Sequence, residues 1–362
     1  ESLKIMIFNI ITTKFYSIVF RIYFILVSKC YPKRIFSGIQ PTGNLHLGNY
    51  LGAIQKWIQF QDNGENVIWS IVDMHAITLS HVDPKELNDN IFKMTATLLA
   101  CGIDPKKSIL FQQSTVPMHT QLSWILGCLS TQARLSRLPQ YREKSQTLKV
   151  IPLSLYIYPV LQAAAKKLFI FNYRATHVPV GQDQVQHIQL AQELAIKFNK
   201  KFGDTFPVPH SLENASQRIK SLRDPLKKMS KSEKDSRSRL DLLDEPDVLL
   251  EKIKKAVTDC TSKVTYEPET RPGVSNLVII HSMLSGKSED QICSEVEELD
   301  TGYRYKLMLA DYIIEKLSPI RKEYSKLIKD PMYLEEILKN GTEKAIEIAN
   351  DCWYDVRNKI GF

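Results

Sequence analysis

Short apolar runs alternate with longer amphipathic segments over the first 200 residues or so. Residues 34–39, 67–72 and 108–111 are apolar runs of strand length, and residues 48–60 and 83–100 have helical periodicity. Strands that alternate with helices pair in parallel. The pattern therefore predicts an α/β domain with a parallel sheet.

The pattern changes further along the chain. Residues 120–149 predict basic helical structure, residues 178–180 predict a strand end, and residues 184–202 predict a strongly amphipathic helix. Beyond about residue 241 strand signals are absent and charged helical periodicity continues to the end. We therefore expect an α/β domain at 34–240 and an all-helical domain at 241–362.

The composition and net charge indicate which classes of binding partner are compatible with the chain. It has 362 residues, 43% of them hydrophobic, and a formal net charge of +8. This charge is compatible with RNA or an anionic surface, although many basic enzymes bind neither. The six cysteines are scattered without metal-ligand spacing, so we predict no metal site and no disulfide framework.

The first 33 residues differ from the rest of the chain. No Asp or Glu occurs between Ser2 and Gln61, while lysines and arginines interrupt an apolar, aromatic stretch. This composition is typical of a mitochondrial transit peptide. A membrane helix at 15–28 and non-native sequence beginning at Glu1 are the alternatives. We favour a targeting segment at 1–33, a mitochondrial matrix location and no stable membrane partner.

Two motifs carry candidate chemistry. Residues 37–50 predict a strand, a glycine-containing turn and a helix start, where free N–H groups and His46 can face phosphates. Residues 228–232 read KMSKS, and their lysines can stabilise charge on leaving pyrophosphate. Alone, the first could be an ordinary corner and the second a solvated basic loop. In this order, flanking an α/β region, HLGN and KMSKS resemble the paired signature of class I aminoacyl-tRNA synthetases.

Longer segments narrow the resemblance to tryptophanyl-tRNA synthetases of the organellar and bacterial type. They are IFSGIQPTGNLHLGNYLGA, IVDMHAIT, YPVLQAA, HVPVGQDQVQHIQLAQELA, KSLRDPLKKMSKS and KKAVTD. The resemblance covers residues 34–362. It implies a Rossmann-like catalytic domain with a helical insertion, a C-terminal domain that binds the tRNA anticodon, and a homodimer.

The resemblance also implies the reaction. Tryptophan would be activated with ATP and Mg²⁺ to tryptophanyl-AMP and then transferred to tRNA(Trp), in mitochondrial translation for this chain. Lysines and arginines of residues 131–149 and of the helical domain would contact tRNA phosphates. Tyrosyl-tRNA synthetase, a synthetase-like protein impaired in catalysis and a small-molecule nucleotidyltransferase are the alternatives.

The resemblance assigns site residues by motif match. Catalytic roles fall to His46, Lys144, Lys228 and Lys231. ATP would be bound by Gln40, Pro41, Thr42, Gly48, Asn49, Gly181, Gln182, Asp183, Ile219, Lys228, Met229, Ser230, Lys231 and Ser232. Tryptophan would be bound by Phe36, Gly38, Gln40, Val72, His75, Tyr158, Gln162, Val178, Val180 and Gln184. Taken singly, each lysine could be a solvated charge and each apolar residue plain core.

One position departs from the family pattern. Where family members carry an Asp that accepts a hydrogen bond from the indole N–H, this chain has Ala165, and about four extra residues precede His177. Another acceptor, an impaired or repurposed enzyme, and an incorrectly joined coding segment within residues 145–177 are the three explanations. We favour the third as a hypothesis, which sequencing the transcript across this segment would test.

Overall fold

Five parallel strands form the centre of the fold. The protein is described by a computed structural model that covers residues 31–78, 83–165, 172–180, 185–213, 218–231, 233 and 235–362. The strands are β1 Ile35–Ile39, β2 Val67–Ile71, β3 Ile109–Gln112, β4 His177–Val180 and β5 His210–Glu213. Their order is β3-β2-β1-β4-β5. The predicted parallel α/β architecture is confirmed, and β1 and β4 flank the switch point where such sheets bind ligands.

Nine helices of the described chain lie between β1 and the start of the C-terminal region. They are α1 Leu47–Asn49, α2 Gln55–Asp62, α3 Asp73–Ala76, α4 Pro84–Ala100, α5 Met118–Gly127, α6 Gln132–Leu135, α7 Pro139–Thr147, α8 Leu153–Ala165 and α9 Val185–Phe202. A π-helical segment, Tyr50–Ile54, joins α1 to α2. The helix predicted at 48–60 is therefore confirmed with an irregular middle.

Local signals explain where several helices begin. Asp83 caps α4, because its carboxylate accepts hydrogen bonds from the backbone N–H groups of Lys85 and Glu86, and Pro84 occupies the first helical position.

The region 120–149, which was predicted as helical, is divided among α5, α6 and α7. Pro139 starts the last of these three helices. The strand β5 was not predicted, since its four residues, HSLE, lack an apolar run.

The C-terminal region contains only helices among its named elements in the described chain. They are α10 Pro246–Lys254, α11 Pro272–Ser285, α12 Glu289–Glu295, α13 Arg304–Leu327 and α14 Pro331–Ile360. The predicted helical C-terminal region is confirmed. No described helix has the length and hydropathy needed to cross a membrane.

The last helix lies directly against the sheet. A side chain at Gly341 of α14 would place its Cβ 1.8 Å from the carbonyl oxygen of Leu110 in β3. Only glycine therefore permits this contact between two backbones. The helical region thus covers one edge of the α/β part, while the domain boundary at residues 240 and 241 stays a prediction.

Candidate active site

The first motif forms a capped corner after β1. His46 precedes α1, and its Nδ1 accepts a hydrogen bond of 3.2 Å from the backbone N–H of Asn49. The Asn49 side-chain oxygen in turn accepts from the backbone N–H of His46 at 3.3 Å. A Cβ at Gly48 would lie 3.1 Å from the imidazole, so glycine leaves room for this ring. The local sequence therefore holds a buried histidine at the start of a helix.

The KMSKS loop meets this corner. The Lys231 ammonium donates to the carbonyl oxygen of Thr42 at 2.9 Å. A backbone hydrogen bond anchors the loop, because the N–H of Met229 donates to the carbonyl oxygen of Ile219 at 3.0 Å. Both Met229 and Ile219 are buried. Lys228 is exposed at the loop surface. The two motifs, which lie far apart in the sequence, therefore line one crevice.

The segment 239–242, which follows the KMSKS loop, bonds to the corner through its backbone. The backbone N–H of Leu47 donates to the carbonyl oxygen of Leu240, and that of Leu242 donates to Leu45, at 2.7 and 2.8 Å. Asp241, between them, is buried and pairs with the Arg239 guanidinium at 3.2 Å. Sequence analysis missed this ion pair. The only available signal was the RLD triplet after the KMSKS loop.

Burial and neighbouring cations tune the charges in the crevice. Burial, and then Lys231, Arg239 and Lys228, lower the pKa of His46 to about 4, so its imidazole is neutral near pH 7. Burial lowers the pKa of Lys231 to about 8, with Asp241 opposing the shift and Arg239 adding to it. The site therefore presents a neutral histidine and a lysine that holds its proton more weakly than an exposed one.

The predicted tryptophan residues share one face of the sheet. Gly38 lies beside Ser70 in the register of β1 and β2, and Phe36 lies beside Ile68. Phe36, Val178 and Tyr173 belong to one buried apolar cluster. The rings of Phe36 and Tyr173 stack at a centroid distance of 6.1 Å. Alternate side chains of a strand point to the same face, so Gly38 forms a gap in an apolar floor.

Three further residues of the predicted tryptophan site lie after β2 and on α8. Val72 and His75 are buried just beyond the carboxyl end of β2. The Tyr158 hydroxyl donates to the Gln140 side chain at 2.9 Å, and burial raises the pKa of this tyrosine. Lys144 was predicted to assist at the pyrophosphate. Its ammonium lies 5.7 Å from the centre of the Tyr158 ring.

Several predicted residues have no structural account. Gly181, Gln182, Asp183, Gln184 and Ser232 lie outside the described residues, and the side chains of Gln162, Ala165 and Val180 are not described. Gln40, Pro41 and Thr42 directly follow β1, and Ser230 lies between Met229 and Lys231. Within the described ranges, no group of three His, Cys, Asp or Glu residues is placed to hold a metal ion.

Comparison with known proteins identifies the family. The family "tRNA synthetases class I (W and Y)" matches residues 28–318. This chain belongs to the class I tRNA synthetases for tryptophan and tyrosine. A Wolinella succinogenes tryptophan–tRNA ligase is 44% identical over 331 residues, which are 91% of this chain and 98% of that protein. A mitochondrial tryptophan–tRNA ligase of Caenorhabditis elegans is 42% identical, over 93% of this chain and 94% of that protein.

Solved structures agree with this assignment. A tryptophanyl-tRNA synthetase of Campylobacter jejuni, complexed with ADP and tryptophan, matches with a TM-score of 0.78 and 30% identity, over 91% of this chain and 100% of that one. A tyrosyl-tRNA synthetase of Aeropyrum pernix, at 20% identity, shares the fold alone. The predicted resemblance to tryptophanyl-tRNA synthetases is confirmed, and so is the predicted enzyme class, a class I aminoacyl-tRNA synthetase and therefore a ligase.

Proposed function

We propose that this synthetase is a tryptophan–tRNA ligase, which activates tryptophan with ATP and transfers it to tRNA(Trp). The observation that carries the proposal is the meeting of the two motifs, where Lys231 contacts the turn after β1 at Thr42. Relatives at 40 to 44% identity over most of the chain bear the name tryptophan–tRNA ligase.

The nucleotide would lie between the corner and the loop. One carboxylate oxygen of tryptophan attacks the α-phosphorus of ATP, the bond to the bridging oxygen breaks, and pyrophosphate leaves. Lys228 and Lys231 stabilise the charge that develops on pyrophosphate, and neutral His46 donates a hydrogen bond to a phosphate oxygen. Mg²⁺ would enter with ATP as part of the substrate. Gln40, Pro41, Thr42, Gly48 and Asn49 would position the nucleotide.

The amino acid would lie on the apolar face of the sheet. Phe36, Val72, His75 and Val178 would surround the indole above Gly38, with Val180 as a further wall. Tyr158, Gln162 and Gln184 would hold the α-amino group. Gly181, Gln182, Asp183 and Ile219 would bind the adenosine. In the second step the 3′-terminal hydroxyl of tRNA attacks the tryptophanyl carbonyl, and AMP leaves.

Two surfaces support the proposed macromolecular partners. Arg137, Arg142 and Lys149 are exposed in the region predicted to contact tRNA, whereas Arg134 forms a bidentate ion pair with Glu193.

Large apolar side chains are exposed on the adjacent helices α5 and α8, with Trp124 77% exposed and Leu153 71% exposed. Large apolar side chains with this exposure support a homodimer, which light scattering of the purified chain and a Trp124→Glu variant would test.

A mitochondrial matrix location is also a proposal. The basic composition of residues 2–33, which contain no Asp or Glu, supports it, as does the mitochondrial relative of C. elegans. Bacterial relatives are equally similar. Import of a reporter fused to residues 1–33 into isolated mitochondria tests the proposal, with a fusion in which the basic residues are replaced by glutamine as the control.

The decisive experiment is amino-acid-dependent exchange of pyrophosphate into ATP. We expect exchange with tryptophan and little with tyrosine or phenylalanine. An Ala165→Asp variant, run in parallel, reports whether the family acceptor improves the enzyme. Exchange that depends on tyrosine would support the rival specificity. If tRNA(Trp) binds but no amino acid supports exchange, the chain is a synthetase-like binding protein and the proposed function is wrong.

A further inference from the structure

Some buried polar side chains of the described residues lack hydrogen bonds, and two of them, Ser70 and Gln113, lie on or directly after the strands that face the proposed pocket. Ser70, Gln113 and Asn172 are at most 1% exposed. Within the described part of the chain, the Ser70 hydroxyl and both amide atoms of Gln113 and Asn172 have no hydrogen-bond partner. Buried polar groups in native proteins are nearly always paired, and an unpaired one in a binding region indicates a partner that arrives from outside.

Gln113 occupies the best position of the three for a ligand. Phe111 pairs with Ser70 in the register of β2 and β3, and Ser70 pairs with Gly38 in β1. Gln112, between Phe111 and Gln113, has extended backbone angles. Gln113 begins a short 3₁₀ turn directly after β3, and the extended backbone at Gln112 places it on the same face as Phe111 and Gly38, one step nearer to the carboxyl edge. Ligands of open parallel sheets bind at this edge.

Hydrogen bonds connect Gln113 to the wall of the proposed pocket. The Gln113 carbonyl oxygen lies 3.0 Å from His119 Nδ1. The other imidazole nitrogen lies 3.2 Å from the Tyr173 hydroxyl. The Tyr173 ring stacks on Phe36. The main chain at Gln113 is thus fixed relative to the apolar cluster, while its buried amide group has no hydrogen-bond partner among the described residues.

We propose that the Gln113 side-chain oxygen accepts the hydrogen bond from the indole N–H of tryptophan and so determines specificity. The inference rests on the proposed function of this site. The alanine at position 165 cannot accept a hydrogen bond through its side chain, and no Asp or Glu occurs in the sequence from Ser145 to Gln182. A neutral amide accepts the bond without bringing a charge into an apolar floor.

The two other buried groups are weaker candidates. The Ser70 hydroxyl is short and lies one step further from the carboxyl edge than Gln113. Asn172 lies before β4, outside the strand register that places Gly38, Ser70 and Phe111 on one face. Ser70 and Asn172 are therefore alternatives that the same experiment can examine.

The test compares tryptophan with an analogue whose ring N–H is replaced by sulfur, β-(3-benzothienyl)alanine. Pyrophosphate exchange gives kcat/KM for each. We expect the unmodified enzyme to prefer tryptophan by roughly 10- to 100-fold, because the analogue cannot donate to Gln113. In Gln113→Leu, this ratio should fall close to one through weaker use of tryptophan. Gln113→Glu, which keeps an acceptor, should retain a preference for tryptophan.

Controls separate recognition from folding. Because Leu replaces an unpaired buried amide, Gln113→Leu should leave the melting temperature of the free protein unchanged or higher. A lower melting temperature with equal losses for both substrates would indicate a structural role and overturn the inference. An unchanged ratio in Gln113→Leu would overturn it too, as would loss of the ratio in Ser70→Ala or Asn172→Leu instead. Absence of tryptophan-dependent exchange in the unmodified enzyme would refute the proposed function itself.

Discussion

The proposed nucleotide end and the proposed amino-acid end of the crevice are built differently. At the nucleotide end, backbone groups of two distant segments bond to each other, as Leu47 does with Leu240 and Leu242 with Leu45. The buried Asp241 and the partly buried Arg239, which form an ion pair, lie beside them. The amino-acid end has an apolar floor in which Phe36 and Val178 are buried, and Ser70 and Gln113 lack hydrogen-bond partners among the described residues.

The difference follows from the two ligands. A triphosphate is recognised by charge and by backbone N–H groups, which a short motif can supply in one turn. An indole ring is recognised by shape and by one hydrogen bond, which side chains from several strands and helices must supply together. Changes at the nucleotide end should therefore lower activation in general, whereas changes at the amino-acid end should act on tryptophan alone.

The largest effect is expected from Lys231→Ala. Loss of the ammonium removes charge stabilisation from the leaving pyrophosphate, so kcat for pyrophosphate exchange should fall by about 10²- to 10³-fold. Lys227→Ala is the matched control, since this exposed lysine of the same loop pairs with Asp224. It should change the rate by no more than about twofold. Equal losses in both variants would show that the loop acts through its overall charge.

A smaller loss is expected from His46→Ala. The variant removes a hydrogen-bond donor to phosphate and the side-chain cap that accepts from Asn49. We expect kcat to fall by roughly 10- to 100-fold and stability to fall by about 1 kcal/mol, measured by denaturant unfolding. His46→Asn separates the roles, because asparagine caps helices well. It should restore stability and leave exchange slow; full recovery of exchange would assign His46 a capping role only.

Tyr158→Phe tests the amino-acid end. If the hydroxyl holds the α-amino group, its loss should raise KM for tryptophan about tenfold and leave KM for ATP unchanged. Tyr156→Phe, a control in the same helix, removes a hydroxyl of a residue that packs against Tyr141 instead. A matching rise in KM for ATP would break the distinction between the two ends.

The sequence predicts the nucleotide end more completely than the amino-acid end. Gly48, Asn49 and Lys231 belong to short motifs whose local conformation already brings functional groups together. The contact between Lys231 and Thr42 was expected only as a shared crevice, and its distance required the fold. The Arg239–Asp241 pair was missed because a charged pair two residues apart resembles any solvated segment, and only the fold shows that a backbone bridge to His46 buries Asp241.

The amino-acid end depends on strand register, which a single sequence does not specify. Gly38, Ser70 and Phe111 share a face only because β1, β2 and β3 align in one register. From the sequence alone, Gln113 is therefore indistinguishable from any polar residue that follows a strand. The strand β5 was missed for a related reason, since parallel pairing with β4 stabilises a run whose own pattern is half polar.

The smallest effect concerns pH at the nucleotide end. Lys231 has a pKa of about 8 without ATP, and a nearby triphosphate should raise it. ATP affinity should therefore be full below the unliganded pKa and weaken as pH rises through it, by about fourfold at pH 8.5. Binding at that pH should also take up protons, which calorimetry in buffers of different ionisation enthalpy measures. Lys231→Arg stays protonated and should bind with little pH dependence; persistence of the dependence in this variant would assign it to another group.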